Sequence, residues 1–389
     1  MMMNNKGWEI KKLGEVCELS AGGDVPKDDF SETQTDEYQI PIYANGEKNE
    51  GLYGYTTTAK IVKPSITVSA RGTIGFSVKR LKPFVPIVRL IVVTPIDLEK
   101  LSLDFLGYAL SKIDFKHSGS SIPQLTVPMI RDYEIPVPPL PEQQRIVTIL
   151  DKVFSVIERS RNNAEQNLKN AKELFESVLQ LIMDNGKLKI GDGWEEQLLE
   201  DCFKMKSGDN LTAKNMSEGE YPVFGGNGIA GYHNKYNLSG SNVIIGRVGA
   251  LCGNVRHITE NIWLTDNAFK VVDFKFDFDH SFLTYLLNHK DLRSYARQAA
   301  QPVISNSSLK DVVLNFPKSK KEQQTIVRQL DALRGETQKL EAVYQQKIAN
   351  LEELKKSILQ KAFAGELRGG NPAELKTEKS RRDAKIIEN

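Results

Sequence analysis

The sequence predicts a mixed α/β (α+β) chain with two globular heads joined by two long antiparallel coiled-coil helices, a pseudo-two-fold internal repeat. Three observations carry this expectation. A segment of about 180 residues recurs over nearly the whole length. Each copy closes on about 43 residues with near-heptad apolar spacing. Ahead of each such stretch lie short apolar runs separated by Gly- and Asn-rich turns.

The repeat is clearest where each helix begins. Glu142-Gln143-Gln144-Arg145-Ile146-Val147-Thr148-Ile149-Leu150-Asp151 matches Glu322-Gln323-Gln324-Thr325-Ile326-Val327-Arg328-Gln329-Leu330-Asp331 at seven of ten positions. Gly7-Trp8-Glu9 with Cys17 echoes Gly193-Trp194-Glu195 with Cys202. Pro41 to Gly46 echoes Pro222 to Gly228, and Ser69-Ala70-Arg71-Gly72 echoes the segment around Arg247, setting Arg71 against Arg247. The helices agree well and the heads poorly, the pattern of a duplicated scaffold carrying unlike heads.

The expected divisions are a first head over 1–141, a helix over 142–186, a second head over 187–321, a helix over 322–366, and a disordered tail over 367–389. Strands are expected at 39–43, 65–70, 85–93 and 134–137. In the second head they are expected at 223–224, 242–246, 268–272 and 312–316. Short helices are expected at 101–110 and 280–287.

The first long helix shows Ile146, Leu150, Val153, Ile157, Ala164, Leu168, Ala171, Phe175, Val178 and Ile182, with Ser160 in one polar slot. The second shows Ile326, Leu330, Leu333, Leu340, Tyr344, Leu351, Leu354 and Ile358, interrupted by Thr337 and Lys347 and weakened at Gly335. Asn185-Gly186 and Gly365 are the expected C-terminal caps. At 1.5 Å per residue each helix is roughly 64 Å long, too long for a compact domain. The connectivity favours folding back within the chain, with the heads at opposite ends of a rod; pairing between chains is the alternative.

The 389 residues carry a net charge of only +2, so total charge does not announce a polyanion partner. Three cysteines without a CxxC pair point to a reduced, cytoplasmic setting. Nothing reads as a signal peptide or membrane span.

Charge distribution is more telling. Residues 1–59 hold five basic and eleven acidic residues, whereas 60–131 hold eleven basic and four acidic. Lys60, Lys63, Arg71, Lys79 and Arg80 are therefore candidate DNA contacts, together with Lys82 and Arg89 of the same basic stretch. Ser120, Ser121 and Gln124 lie in the polar loop before the first helix. The second head offers Asn227, Lys235, Arg247, Arg256, Gln301, Ser305 and Asn306. Arginine reads guanine edges or grips phosphate, while Gln and Asn pair with adenine. Each also has a plainer use, in pinning turns or capping loops.

No Asn/Asp-Pro-Pro-Tyr/Phe motif, glycine-rich cofactor loop, phosphate loop, metal-ligand spacing or nuclease carboxylate cluster is present, so no catalytic residue is assigned. The organisation resembles the specificity subunits of type I restriction-modification enzymes. The resemblance rests on Gly-Trp-Glu before each head, Pro138-Pro139-Leu140-Pro141-Glu142-Gln143-Gln144 entering the first helix, and Leu359-Gln360-Lys361-Ala362-Phe363-Ala364-Gly365-Glu366-Leu367 closing the second. Pro317-Lys318-Ser319-Lys320-Lys321 departs from the proline-rich pattern at the second helix. The resemblance implies two target recognition domains reading a bipartite double-stranded DNA site. It also implies partners: two methyltransferase subunits and endonuclease/translocase subunits, which hold the S-adenosylmethionine, ATP and Mg²⁺. A coiled-coil adaptor whose heads bind protein or glycan is the alternative reading.

Overall fold

The computed structural model describes residues 7–115, 123–187, 193–297 and 302–367. Ser120, Ser121, Gln301 and nearly all of the expected tail lie outside the described residues. The chain forms two compact units, residues 1–163 with 347–389, and residues 164–346. Each unit thus holds one head and half of each long helix.

The first head runs β1 (Glu9–Lys12), α1 (Leu13–Val16), β2 (Cys17–Ala21), β3 (Ile40–Tyr43), β4 (Leu52–Thr56), β5 (Ser65–Val68), β6 (Ser77–Arg80), β7 (Val85–Pro86), β8 (Ile91–Pro95), α2 (Leu103–Lys112), α3 (Val127–Arg131) and β9 (Glu134–Val137), then enters α4 (Leu140–Lys187). The second runs β10 (Trp194–Leu198), α5 (Leu199–Cys202), β11 (Lys204–Ser207), β12 (Tyr221–Gly225), β13 (Gly228–His233), β14 (Asn242–Gly246), β15 (Val255–Ile258), β16 (Trp263–Leu264), β17 (Ala268–Val272), α6 (His280–His289), α7 (Asn306–Leu309) and β18 (Val313–Pro317), then enters α8 (Lys320–Phe363).

Sheet for sheet, the heads have one topology. The first has a four-stranded antiparallel sheet β2-β8-β5-β6, a three-stranded sheet β4-β3-β7 and a pair β1-β9; the second has β11-β17-β14-β15, β13-β12-β16 and β10-β18. Both hairpins slip register at the same place, between Ile42 and Tyr43 and between Val223 and Phe224. The pairs β1-β9 and β10-β18 explain the motifs that open each repeat: the strand that follows Trp8, or begins at Trp194, pairs with the strand that leads into a long helix.

Several expectations needed correction. The apolar run 85–93 is not one strand; it breaks at Val88 and Arg89, where φ is 51° and 60°. The chain there leaves the three-stranded sheet and joins the four-stranded one, so both halves are buried and the hydrophobic pattern hides the corner. Asn185-Gly186 does not cap α4, which continues to Lys187. Gly335 does not interrupt α8. Gly365 does cap it: at φ 73° it donates to Ala362 O while Glu366 donates to Lys361 O, a Schellman closure.

The buried stripe of α4 follows the expected seam through Ile146, Leu150, Ile157, Ala164, Ala171 and Phe175. On α8 the expected seam holds at Ile326, Leu330, Leu333, Tyr344, Leu351 and Ile358 but not at Leu340 and Leu354, which are 41% and 46% exposed; Thr337 is buried, and Glu341, Ile348 and Lys355 are partly buried in their stead. The four-and-three stepping from Thr337 is regular; it places a polar residue in slots where the neighbouring leucine misleads.

In each unit the helix halves run antiparallel and share the head's core. In unit 1, Ile146 and Leu150 of α4 and Ala362 and Phe363 of α8 join the core built on Phe105, Ile66 and Val93, with the Phe105 and Phe363 rings 5.0 Å apart. In unit 2, Phe175, Leu179 and Met183 of α4 join Ile326 and Leu330 of α8 against Phe282, Phe316 and Val243.

The shared Glu-Gln-Gln motif locks head to helix. Gln143, fully buried, donates to Lys100 O at 2.7 Å and Pro138 O at 2.8 Å, and accepts from Ser102 N at 2.9 Å. Gln323 donates to Pro317 O at 2.9 Å and accepts from Asp279 N at 2.7 Å. Trp194 Nε1 donates to Glu322 at 3.0 Å, joining the two repeated motifs of unit 2. The last residue of the matched decapeptide also has one use in both copies: Asp151 accepts from Tyr108, and Asp331 from Tyr285. Burial and the accepting carboxylate push the Tyr285 hydroxyl up to about 12.

Beside each Tyr–Asp bond a cation lies over a ring, with the partners exchanged between units. Lys355 of α8 lies 5.5 Å from the centre of Phe154 of α4, whereas Arg334 of α8 lies 4.6 Å from that of Phe175 of α4. Phe154 and Arg334 occupy equivalent repeat positions, as do Phe175 and Lys355. Each helix thus complements the other repeat, whereas Arg334 facing a second Lys355 would repel. A double-mutant cycle of Arg334→Ala with Phe175→Leu is expected to give a coupling of about 0.5–1 kcal/mol in urea unfolding. Additive single effects would remove this account of the exchange.

Candidate nucleic-acid interface

In each head, the turn that follows β5 or β14 of the four-stranded sheet meets the turn that follows β3 or β12, the central strand of the three-stranded sheet. An asparagine side chain joins them. Asn45 Oδ1 accepts from Ala70 N at 2.7 Å, and its Nδ2 donates to Val88 O at 2.7 Å. Gly46 N donates to Ser69 Oγ at 3.2 Å. In the second head Asn227 Oδ1 accepts from Leu251 N at 2.9 Å. Asn227 is therefore committed to bracing a turn, with at least one polar atom unavailable to a base.

The two candidate arginines both sit in these turns, but not at equivalent positions. Leu125 N donates to Ala70 O, and its counterpart Ile304 N donates to Arg247 O. Gly75 N donates to Ser69 O as Gly253 N does to Gly246 O. The ladder therefore matches Arg247 to Ala70, and Arg71 to Val248. The second turn is one residue longer, which an ungapped comparison of sequences conceals.

Arg71 Nη2 donates to Gln124 Oε1 at 3.0 Å, bringing together two residues singled out from sequence. Arg247 Nη1 reaches Asp266 O at 3.3 Å and Ser207 Oγ at 3.4 Å, with its guanidinium 5.3 Å from the centre of the Phe269 ring. The Nε atoms of both arginines are buried, and neither has a hydrogen-bond partner among the described residues. A buried donor without a partner is costly and calls for a functional or structural reason.

The remaining candidates separate by environment. Arg80 is 5% exposed; it donates to Thr67 Oγ1 at 3.2 Å and to the Glu50 carbonyl, and its guanidinium stacks 3.5 Å from the Tyr43 ring centre. It pins the left-handed turn at Asn49 and Glu50 from inside and leaves the candidate surface. Lys63 pairs with Glu18 at 3.2 Å and Lys79 with Asp104, so their charges are largely answered within the head. Ser305 caps α7 by accepting from Ser308 N at 3.2 Å, and Asn306 Nδ2 donates to Met205 O at 3.3 Å. Those two take the capping use. Lys60 and Lys235 are exposed. Arg256, half-buried on β15, lies against Gly228, where an added Cβ would come 3.3 Å from its Nη2.

Sequence reasoning missed Asn45, whose type and place beside Gly46 were visible, and did not single out Arg89 from its basic neighbours. It also gave the cysteines no environment. Cys17, Cys202 and Cys252 are buried and free, and burial pushes the Cys17 and Cys202 thiols up to about 12, far from a nucleophilic thiolate. Among the described residues no helix is long and apolar enough to cross a membrane.

Comparison with known proteins agrees with this architecture. The family described as "Type I restriction modification DNA specificity domain" matches twice, over residues 5–169 and 191–352. A Mycoplasma pneumoniae protein named as type I specificity subunit S.MpnORF89P is 40% identical over 159 residues, 40% of this chain and 47% of that protein. The Escherichia coli EcoprrI specificity subunit is 29% identical over 192 residues, 47% of each chain. A solved chain, titled for complex assembly and conformational transition of the type I R-M system, has the same fold. It is 19% identical at a TM-score of 0.76, with 94% of this chain and 100% of that chain covered. The chain spans about half the length of the curated relatives it matches. With two matched domains covering most of its length, it belongs to the type I restriction-modification DNA specificity family.

Proposed function

We propose that this chain is the non-catalytic specificity subunit of a cytoplasmic type I restriction-modification complex, reading a bipartite, asymmetric double-stranded DNA site with one head per half. The observation that carries the reading is the combination of identical head topology with unlike turn chemistry. Arg71 donates to the Gln124 side chain in one head, whereas in the other Arg247, at a position matching Ala70, donates to the Asp266 backbone carbonyl. One frame with two different readers suits two different half-sites.

The repeated helices support two copies of one partner. Gln144 and Gln324 belong to the matched decapeptide yet are exposed, so the scaffold offers the same surface twice. Two methyltransferase subunits fit that duplication, and endonuclease/translocase subunits complete the complex. S-adenosylmethionine, ATP and Mg²⁺ belong to those partners, which carry out the chemistry on a flipped adenine.

Methylome sequencing of the host with the gene present or deleted tests the reading. The expected result is one two-part methylated motif that disappears with the gene. The purified complex should bind a duplex carrying that motif with an affinity that falls steeply with salt. An unchanged methylome, or binding indifferent to salt, would sink it.

A further inference from the structure

The turn between β7 and β8 of the first head holds two successive non-glycine residues, Val88 and Arg89, in the left-handed region at φ 51° and 60°. A β-branched side chain rarely accepts that conformation, because its Cβ crowds the neighbouring carbonyl. The corner is enforced by its surroundings. Val88 N donates to Gly23 O at 2.8 Å, Arg89 N to Gly22 O at 3.1 Å and Leu90 N to Ile87 O at 3.0 Å, while Asn45 Nδ2 holds Val88 O. Gly22 permits this approach, since a Cβ there would lie 2.6 Å from Ile87 N. The flanking Ile87 and Leu90 are buried, yet Val88 and Arg89 both point to solvent. Strain held this firmly and displayed outward is characteristic of a contact site.

Charge gives the second observation. The exposed Arg89 side chain makes no ion pair or hydrogen bond with any described residue. The Lys60 ammonium lies 3.5 Å from where a Gly23 side chain would begin, next to the residue that accepts from Val88 N, and Lys60 likewise forms no ion pair with a described residue. Asp24 follows Gly23 in the chain but pairs with neither cation. Lys63, Lys79 and Arg80, by contrast, meet Glu18, Asp104 and Glu50. Through Asn45 the corner is tied to Ala70, the neighbour of Arg71.

We infer that Lys60 and Arg89 form a phosphate-gripping corner that seats the first head on the DNA backbone, with Asn45 holding the corner in place. This rests on the reading of that head as a DNA reader and adds to it the residues that set its register. A guanidinium and an ammonium flanking one fixed turn, both without acidic partners, suit a phosphodiester. The equivalent turn of the second head, between β16 and β17, carries Asp266, so the device belongs to the first head alone.

The test uses the full chain with its methyltransferase partners, a labelled duplex carrying the motif found by methylome sequencing, and a scrambled duplex. Affinity is measured against salt concentration. Arg89→Ala and Lys60→Ala should each reduce the log–log salt slope by about 0.9, and the double variant by about 1.8, on both duplexes. Arg89→Lys should retain the slope, as should Lys152→Ala on the exposed face of α4. If the double variant keeps the full slope while the unaltered complex remains salt-dependent, the corner is wrong and the DNA-reading head stands. If the unaltered complex shows no salt dependence, both fail. An equal loss in Lys152→Ala would also overturn the corner, because the effect would then be one of general charge.

Discussion

Gln143→Leu is expected to lower the stability of the protein by about 3 kcal/mol or more. The substitution leaves two carbonyls, of Lys100 and Pro138, and the Ser102 N–H buried without their side-chain partner, at about 1–3 kcal/mol for each unsatisfied group. At about 2–4 °C per kcal/mol the midpoint of thermal unfolding should fall by about 6 °C or more. Gln144→Leu is the internal control: its side chain is exposed, and the change should stay within about 0.5 kcal/mol. Calorimetry on both variants checks the pair. Equal midpoints would mean that the buried amide is not what secures head to helix.

Gly226→Ala should disable the second head while sparing the first. A Cβ on Gly226 would lie 1.9 Å from Val248 O, a backbone atom in the turn that presents Arg247. Backbone cannot give way as a flexible side chain does, so the two turns must separate, at a cost of about 1–3 kcal/mol. Moving the turn displaces Arg247 from its hold on Asp266 O and shifts the reading surface. The expected outcome is a loss of discrimination of at least about tenfold, equivalent to about 1.4 kcal/mol, in one half of the site only. Methylation of substrates altered in either half provides the measurement. Retained discrimination in both halves would show that the close approach of these turns does not govern recognition.

Much of the frame was legible in the sequence because its signals are local. Strands 134–137, 242–246 and 268–272 have the expected limits, and the helices begin close to the repeated Glu-Gln-Gln. Failures came where the deciding contact lies far along the chain. The corner at Val88 and Arg89 depends on Gly22, Gly23 and Asn45, more than forty residues away, and an apolar run gives no sign of it. Leu340 and Leu354 outrank Glu341 and Lys355 by hydrophobicity, yet the partly buried face continues through the polar pair, because its four-and-three spacing outweighs the preference of single residues.

The candidate site was half legible. Residue type and charge picked out Arg71 and Gln124, which the fold brings to 3.0 Å. The same criteria picked out Arg80, Ser305 and Asn306, which the fold uses internally. A cation and a cap are indistinguishable from a ligand contact until burial and partners are known.

The sequence alone determined the duplication, the two long helices and the unlikeness of the heads, because periodicity and identity at a fixed offset are written along the chain. The tertiary structure decided which arginine is equivalent to which residue, which cations lack an acidic partner and which repeated side chain bridges head to helix. Those properties depend on hydrogen-bond register and burial, which arise only when segments distant in sequence exclude water from one another.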